Sequence, residues 1–416
     1  MGRNDSPRRY RRRQLALAAL AANALRPPAG GRSGIAGFSV GWPVSELAPH
    51  LLVASAVDTA LELTVRRRRS GTTSRIGLLA AGTSMGLLGY SIAAARRARI
   101  DLDEALTTGL GAETTLSPHH PRQRGAVARP FQLRQRDVEV IRNVSYVEGG
   151  RRGRLDIYRP KDVDLDRAPV LLQIHGGGWT IGSKEQQGLI LMNRMAQQGW
   201  VCVASNYRLA PKHRFPAQIH DVKRALAWIR EHVAEYGGDP DYVVITGGSA
   251  GGHLSALAAL TPNDPTLQPG FEEVDTRVAA CVPFYGVYDL AGSTGDKAAI
   301  ELRDKFLGPW VFAKDPAVDL QPFIDASPIS RITADAPDFF VLHGRNDSLV
   351  RVSQARHFVT KLREQSSATV TYAELPWAQH AFDVFSSIRS QHAIDAVQRW
   401  LEWHRALNQA PSDSPR

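Results

Sequence analysis

The chain has 416 residues, 43% of them hydrophobic, and a formal net charge of +10. That length exceeds one typical domain, and only two cysteines exclude a fold built on disulfide bonds. The positive charge is uneven: residues 1–135 hold 20 arginines against 8 acidic residues (+12), whereas residues 136–416 hold 31 basic and 33 acidic residues (−2).

The arginine-rich N-terminal region, residues 1–116, contains a candidate membrane helix at 76–95. These 20 residues carry no charge and would form a helix of about 30 Å, long enough to cross a bilayer. The alternative is an apolar helix packed inside a soluble protein. Nucleic-acid binding is not expected, because the arginine groups alternate with apolar segments and have few aromatic or base-reading partners.

A second apolar stretch, Ile35 to Val65, is interrupted by charged residues and predicts either an imperfect crossing or an interfacial amphipathic helix. A cleavable signal within the first 24 residues is a further alternative. If the segments cross, the arginines at 66–69 should be cytoplasmic and the rest of the chain should face outward, in the cell envelope. A cytoplasmic location at the membrane surface is the other possibility.

Residues 117–136 read as a proline-rich linker, in which His119 and His120 are expected to be solvated rather than to bind a metal. Residues 137–407 form the candidate catalytic domain, and residues 408–416 a disordered tail. Strand patterns alternate with helical patterns through the catalytic domain, which predicts a mostly parallel eight-stranded sheet with helices on both faces. The predicted strands are Val138–Val147, Arg154–Tyr158, Val170–Ile174, Val201–Asn206, Tyr242–Thr246, Val278–Phe284, Phe339–His343 and Val370–Leu375.

A glycine run follows the third predicted strand, at the end where open α/β sheets place their sites. It reads His175-Gly176-Gly177-Gly178-Trp179. Glycines let backbone N–H groups approach a ligand oxygen without a side chain in the way, so Gly177 and Gly178 are predicted donors to an oxyanion. His175 is expected to organise the loop, with Gly176 and Trp179 as supporting residues.

The fifth predicted strand is followed by Gly247-Gly248-Ser249-Ala250-Gly251, which fits the G-x-S-x-G nucleophile elbow. Small residues such as Gly247 and Gly251 permit the strained turn from strand to helix. Ser249 would then lie at a helix N-terminus, where backbone amides favour developing negative charge. Ser249 is therefore the predicted nucleophile, and the Ala250 amide the third oxyanion donor.

Two residues near the C-terminus complete the predicted site. Asp347 follows the seventh strand and can orient an imidazole, and His380 follows the eighth strand and can act as the base. His392 and His404 fall in the helical stretch beyond and are expected at the surface. The long connection from 286 to 332, rich in aromatic residues, predicts a small lid or pocket wall.

These motifs resemble those of α/β-hydrolases in the hormone-sensitive-lipase group of esterases, from about Asp137 to Ala406. The chain order Ser, Asp, His agrees, as do the segments 206–211 and 343–347. Position 248 departs from the group, because it is Gly rather than the usual Asp, and this brings the chain closer to bacterial feruloyl and acetyl esterases. The N-terminal extension resembles that of membrane-linked Lip carboxylesterases of mycobacteria.

The resemblance implies an α/β-hydrolase fold and a serine carboxylesterase or lipase that uses no cofactor. A small-molecule or lipid ester would be the substrate, and neither a metal site nor an oligomeric state is indicated. Two alternatives stay open: a peptidase or amidase that uses the same three residues, and a catalytically silent membrane scaffold. The sequence does not distinguish short acyl chains from long ones, or lipid esters from polysaccharide esters.

Overall fold

The computed structural model describes residues 6–28, 31–70, 73–120 and 125–409. Within them the chain forms an N-terminal bundle of helices and a sheet covered by helices on both faces. The predicted tail begins at residue 408, but residues 408 and 409 end the last helix, and the remainder lies outside the described residues.

Four helices build the N-terminal region: α1 (Ser6–Leu25), α2 (Gly31–Glu46), α3 (Ala48–Leu61) and α4 (Arg75–Leu110). The predicted membrane segment 76–95 is the first part of α4, which is long and apolar enough by composition to cross a membrane. The stretch from Ile35 to Val65 does not form one helix, since α2 and α3 meet at Leu47.

Helices α1, α3 and α4 pack side by side as a bundle. Tyr10 of α1 is fully buried, and a Cβ on Gly77 of α4 would lie 2.7 Å from its ring. On α3, Thr59 Oγ1 lies 3.1 Å from the Tyr10 hydroxyl oxygen, and Asp58 pairs with Arg13 at 2.9 Å. The arginine-rich start of α1 therefore lies at the same end of the bundle as the start of α4.

Eight strands form one sheet in the order β1-β2-β4-β3-β5-β6-β7-β8, which confirms the predicted sheet. Only β2 runs antiparallel to its neighbours, and the pairs from β4 through β8 are parallel. The strand bounds are β1 Val138–Ser145, β2 Arg154–Pro160, β3 Ala168–Ile174, β4 Val201–Ser205, β5 Gly238–Gly248, β6 Ala280–Phe284, β7 Asp338–Gly344 and β8 Val370–Leu375.

The central strands are apolar along their whole length because both faces of a parallel sheet are covered. All seven residues of β3 are buried, and so are all five of β6. The covering helices are α5 Leu189–Gln197, α6 Ala217–His232, α7 Ala250–Leu260, α8 Ser353–Gln365 and α9 Ile388–Gln409. Shorter helical segments occur at Glu62–Arg66, Arg67–Ser70, Gly150–Gly153, Val233–Tyr236, Pro265–Leu267, Lys297–Leu302, Arg303–Phe312, Gln321–Asp325 and Pro328–Ser330.

The C-terminal half of α4 belongs to the core of the catalytic domain. Leu102 and Leu106 are buried in one apolar cluster with Phe340 of β7 and Trp400 of α9. At Gly109 the helix touches β8 so closely that a Cβ would lie 2.5 Å from Thr371 Oγ1. A single helix thus joins the N-terminal bundle to the sheet.

The predicted linker is held by carboxylates rather than solvated at its histidine pair. His119 Nδ1 lies 2.7 Å from Asp395 Oδ2 and its Nε2 lies 3.1 Å from Asp103 Oδ2. His120 Nε2 lies 3.1 Å from a Glu402 carboxylate oxygen. The expectation of solvated histidines was wrong, because the linker passes over α4 and α9 where these acidic side chains converge.

Candidate active site

Ser249 lies on a sharp turn between β5 and α7, at the carboxyl end of the sheet. Its φ of 59° and ψ of −121° are strained values for a residue with a side chain. The turn needs Gly251, since a Cβ there would lie 2.1 Å from the Ile174 carbonyl oxygen. Gly247, the second-last residue of β5, pairs with Ile174 of β3. The strand, turn and helix predicted around Ser249 are all present.

The glycine run lies directly against this elbow. A Cβ on Gly176 would lie 3.1 Å from the Ser249 Cβ. Gly177 has a φ of +115° and lies so close to the Ile181 carbonyl oxygen that no side chain fits there. Within the described part of the chain, the Gly177 and Gly178 amides donate to no protein acceptor. Both N–H groups are therefore available to a ligand oxygen beside Ser249.

Aromatic packing holds the glycine run in place. The His175 ring stacks on Tyr207 at 4.2 Å, and the Tyr207 hydroxyl donates to the His175 carbonyl at 2.9 Å. Burial lowers the pKa of His175 to about 4, so its imidazole is neutral at pH 7. Trp179 donates its indole N–H to His253 Nδ1 at 3.0 Å, which ties the run to α7. These contacts tie His175 and Trp179 to the residues around the glycine run.

His253 was not singled out from the sequence, although it follows the elbow by four residues. Its Nε2 lies 2.8 Å from the Ala326 carbonyl oxygen and therefore carries the proton, while Nδ1 accepts from Trp179. Burial lowers the pKa of His253 to about 4, which keeps it neutral. This histidine connects the glycine run, the elbow helix and the long insertion.

Asp347 and His380 form a buried pair. His380 Nδ1 lies 2.6 Å from Asp347 Oδ2, and both side chains are at most 5% exposed. The other carboxylate oxygen accepts the backbone N–H groups of Leu349 and Val350 at 2.9 and 2.8 Å. Burial alone would raise the pKa of Asp347, but His380 and the neighbouring His343 lower it well below its usual range. Asp347 is therefore an anion in direct contact with His380 Nδ1.

Tyr285, another residue that sequence reasoning missed, lies between the elbow and His380. Its ring centroid is 4.6 Å from that of His380, and its hydroxyl oxygen lies 2.7 Å from where a Cβ on Gly248 would be. The hydroxyl donates to Asp383, three residues after His380. Burial raises the pKa of Tyr285 well above its usual value, so it keeps this proton. Tyr285 thus brings the loop of His380 against the strand that precedes Ser249.

The insertion from 286 to 332 also reaches the site. Phe306 lies 3.4 Å from the position that a Cβ on Gly178 would occupy. Behind it, Phe312 stacks on Phe323 at 4.4 Å and contacts Phe215 at 4.9 Å, so the segment is packed on the main core. Trp310 is 54% exposed. The contact at Gly178 is what a pocket wall requires.

Two histidines outside the site are not where the sequence predicts them. His392 and His404 are buried rather than at the surface, because α9 lies against the sheet and His404 stacks on Trp400 at 5.2 Å. Cys202 and Cys281 are buried free thiols.

Comparison with known proteins decides the family. The family model described as BD-FAE matches residues 155–362, which include Ser249 and Asp347. The chain is 47% identical to "Probable carboxylic ester hydrolase LipM" of Mycobacterium tuberculosis over 408 residues, 95% of this chain and 93% of the relative. The chain belongs to the BD-FAE family. It is a carboxylic ester hydrolase.

Other similar proteins and solved structures are also named as esterases. Esterase LipQ of the same bacterium is 45% identical over 76% of this chain and 77% of its own length. A truncated carbohydrate esterase from gut microbiota shares the fold with a TM-score of 0.56, at 24% identity, over 64% of this chain and 96% of that one. Butyrate-bound esterase 2 of Thermogutta terrifontis does so with a TM-score of 0.55, at 23% identity, over 68% and 98%. The resemblance to Lip carboxylesterases is confirmed.

Proposed function

We propose that Ser249 is the nucleophile of this ester hydrolase, His380 the general base and Asp347 the residue that orients His380. The observation that carries the proposal is the buried contact of 2.6 Å between His380 Nδ1 and Asp347 Oδ2. This contact puts the Nδ1 proton toward the carboxylate and leaves Nε2 to accept a proton. Tyr285 packs on both the His380 ring and the elbow, which supports the placement of Nε2 toward Ser249.

The reaction follows from these positions. Ser249 Oγ attacks the ester carbonyl while its proton passes to His380 Nε2, and the carbonyl oxygen becomes an anion. The amides of Gly177, Gly178 and Ala250 stabilise that anion, each donor contributing about 3 kcal/mol. His380 then protonates the leaving alcohol. Water, activated by the same histidine, hydrolyses the acyl-enzyme and releases the carboxylic acid.

Replacing Ser249 tests the nucleophile directly. Ser249→Ala in the full chain should lower kcat on a p-nitrophenyl ester by about 10⁶, since triad knockouts have effects of this size. Ser255→Ala, in the same helix, removes a hydroxyl that only donates to the Gly251 carbonyl at 2.7 Å and serves as the matched control. A Ser249→Ala enzyme that retains a tenth of wild-type turnover would rule out this nucleophile.

Turnover of p-nitroanilides above that of esters would favour the amidase alternative, and a wild-type chain that hydrolyses neither would favour the silent scaffold.

A series of p-nitrophenyl esters from acetate to palmitate addresses the acyl group. Phe306 narrows the site beside Gly178, which favours short acyl chains there. An apolar groove of about 560 Å³ lies between α1, α4 and Trp377, and it is lined by Leu25, Leu87 and Tyr90 among others. An acyl chain that reached this groove would be long, so lipid esters are the alternative substrates. An optimum at eight carbons or more would support a lipase, and an optimum at acetate or butyrate an esterase.

We further propose that the bundle inserts into a membrane with the catalytic domain facing outward. Apolar side chains point away from the bundle, including Val53 and Val57 of α3 and Leu79 of α4, which is 73% exposed. Arg13 of α1 and Arg66 both bond to Asp58 at one end of the bundle, whereas Tyr90, further along α4, contacts Trp377 of the catalytic domain. Positively charged ends of membrane helices stay in the cytoplasm, so the five arginines at 66–69 and 75, against three at 96, 97 and 99, support a catalytic domain on the outside.

Membrane insertion can be tested by extraction of the full chain. The wild-type protein should remain in the membrane pellet after washing at high salt and at alkaline pH, since buried hydrocarbon contacts resist both. Leu79→Arg should release it, and Leu79→Ala is the control of similar position without charge. A wild-type chain that washes off with salt alone would exclude a spanning helix. Digestion of the catalytic domain by protease added to intact cells would support the outward orientation.

A further inference from the structure

The N-terminal helices contact the loop that carries Asp347. Asn346 donates its side-chain amide to the Leu25 carbonyl at the end of α1, at 2.8 Å. Ser348 donates its hydroxyl to the Gly34 carbonyl of α2, at 3.0 Å. Both residues that flank Asp347 are therefore bonded to backbone that lies more than 300 positions earlier in the chain.

Helix α2 also contacts the loop that carries His380. The Trp42 indole N–H donates to the Ala381 carbonyl at 2.7 Å. Ala381 has a φ of 59°, a conformation that costs energy for any residue with a side chain and persists only when its surroundings hold it. The peptide carbonyl directly after His380 is thus held in place by a side chain from the N-terminal region.

Phe38, one turn before Trp42, touches the imidazole of His380 itself. The two ring centroids are 5.8 Å apart and the planes meet at 81°, an edge-to-face contact. Phe38 stacks on Trp42 at 5.4 Å, and Trp42 stacks on Phe385 at 4.6 Å. His380 is 4% exposed, so this aromatic row helps to keep water from the imidazole.

The far end of α2 is fixed as well. Glu46, the last residue of the helix, accepts from Ser387 Oγ at 2.6 Å and pairs with Arg389 at the start of α9. Both Glu46 and Arg389 are fully buried. The helix therefore cannot tilt away from the loop of His380 without exposing or separating these charges.

We infer that α2 is part of the active site, with Phe38 and Trp42 acting as positioning residues for His380. Asp347 orients the imidazole through Nδ1, Phe38 limits its rotation from the side, and Trp42 holds its backbone. The inference rests on the proposed role of His380 as the base. It extends the catalytic apparatus to a segment that the BD-FAE match does not include.

The test compares variants of the full chain. Phe38→Ala and Trp42→Phe should each lower kcat about 10-fold or more with KM changed by less than about twofold, because a misplacement of 1 Å costs on the order of 100-fold. Phosphonylation of Ser249 by a fluorophosphonate should slow in parallel, since it also needs the base. Phe38→Tyr keeps the ring and should retain most of the activity. Phe131→Ala removes a ring that contacts Phe385 at the outer end of the row, at 5.4 Å, and should leave kcat unchanged.

Several outcomes would overturn this inference. One is kcat within about twofold of wild type in both variants, and another is a raised KM at constant kcat, which would place Phe38 in substrate binding instead. If Phe38→Ala does not fold, Trp42→Phe decides alone, because it keeps an aromatic ring and removes the indole N–H that bonds to Ala381. The turnover of His380→Ala is measured beside them. If His380→Ala loses turnover while the Phe38 and Trp42 variants have normal kcat, only the positioning role is refuted. If His380→Ala retains turnover, both the proposed base and this inference are refuted.

Discussion

Gly248 shows how one position can be explained only by a distant neighbour. The esterase group that this chain resembles usually has Asp there, and the local turn from β5 to α7 does not forbid it. The space is occupied by Tyr285, whose hydroxyl donates to the buried Asp383. A side chain at position 248 would displace this hydroxyl, and an acidic one would also lie beside the Asp383 carboxyl.

Gly248→Asp should therefore destabilise the protein, although it restores the residue usual in the group. Overpacking of this kind costs about 1–3 kcal/mol, which urea unfolding of the full chain can measure. Tyr285→Leu combined with Gly248→Asp should recover part of that loss, because it removes the hydroxyl and the ring edge that the new Cβ meets. A Gly248→Asp protein as stable as wild type would contradict the steric explanation.

At the scale of single residues, the sequence predicts those site residues that have a distinctive local pattern. Ser249 has its glycines, and Asp347 and His380 follow predicted strands, so each could be placed by its own neighbourhood. Tyr285 and Phe38 have no such pattern, since an aromatic residue after a strand or in a helix is ordinarily part of a core. Their positions beside His380 arise from packing between segments up to 342 residues apart, which a single sequence does not show.

At the scale of elements, the junction between α2 and α9 depends on one buried charge pair. Glu46 and Arg389 have no exposed side-chain surface, so each requires the other to offset the cost of leaving water. Ser387 adds a hydrogen bond to the same carboxylate at 2.6 Å. The pair links the last residue of one helix to the second residue of another.

Replacing one residue of this pair should lower the free energy of unfolding much more than replacing both. Arg389→Met should lower the free energy of unfolding by about 3–5 kcal/mol, because Glu46 is then a buried charge without a cation. The double variant Glu46→Leu with Arg389→Met should regain most of it, since the two apolar side chains can pack together. Chemical unfolding of the four proteins completes the cycle. Additive losses in the double variant would show that the pair does not act as a unit.

Elements were predictable where hydrophobic periodicity is strong. All eight strands lie where the pattern predicts them. The periodicity of α4 was misleading in one respect: only its charge-free part, 76–95, was recognised, whereas the helix continues to Leu110. The continuation alternates charged residues with Leu102 and Leu106, which pack on the sheet, so its apolar face is narrow and its composition is polar.

At the scale of the whole molecule, the packing of α4 argues against the domain boundary that charge and composition suggest near residue 136. The proposed division into an extension, a linker and a catalytic domain separates α4 from the sheet, yet Leu102 and Leu106 are part of the catalytic core. Helix α2 likewise contacts both catalytic loops. The division follows the order of segments along the chain, but it does not correspond to parts that pack independently.

Truncation tests this view. A fragment of residues 137–416 should aggregate or unfold at lower urea than a fragment of residues 96–416, because only the longer one keeps Leu102 and Leu106 in the core. Both lack the candidate membrane segment, so the comparison isolates the packed half of α4. Both also lack α2, and the soluble fragment should hydrolyse p-nitrophenyl esters with lower kcat than the full chain. A monomeric 137–416 fragment with full kcat would show that the catalytic domain is independent.

Helix α2 can pack against the catalytic loops only late in synthesis, after its partners have been translated. Its bonds to the catalytic loops join residues that are 314 to 343 positions apart, so the partners of α2 are among the last parts of the chain to be made. At about 5–20 residues per second, translation separates the two sides by roughly 16 to 69 s. During that interval Glu46 has no Arg389, and the helix stays undocked. A chain released between residues 249 and 380 would carry Ser249 but neither His380 nor Arg389, and under the proposed mechanism it would not cleave esters inside the cell that makes it.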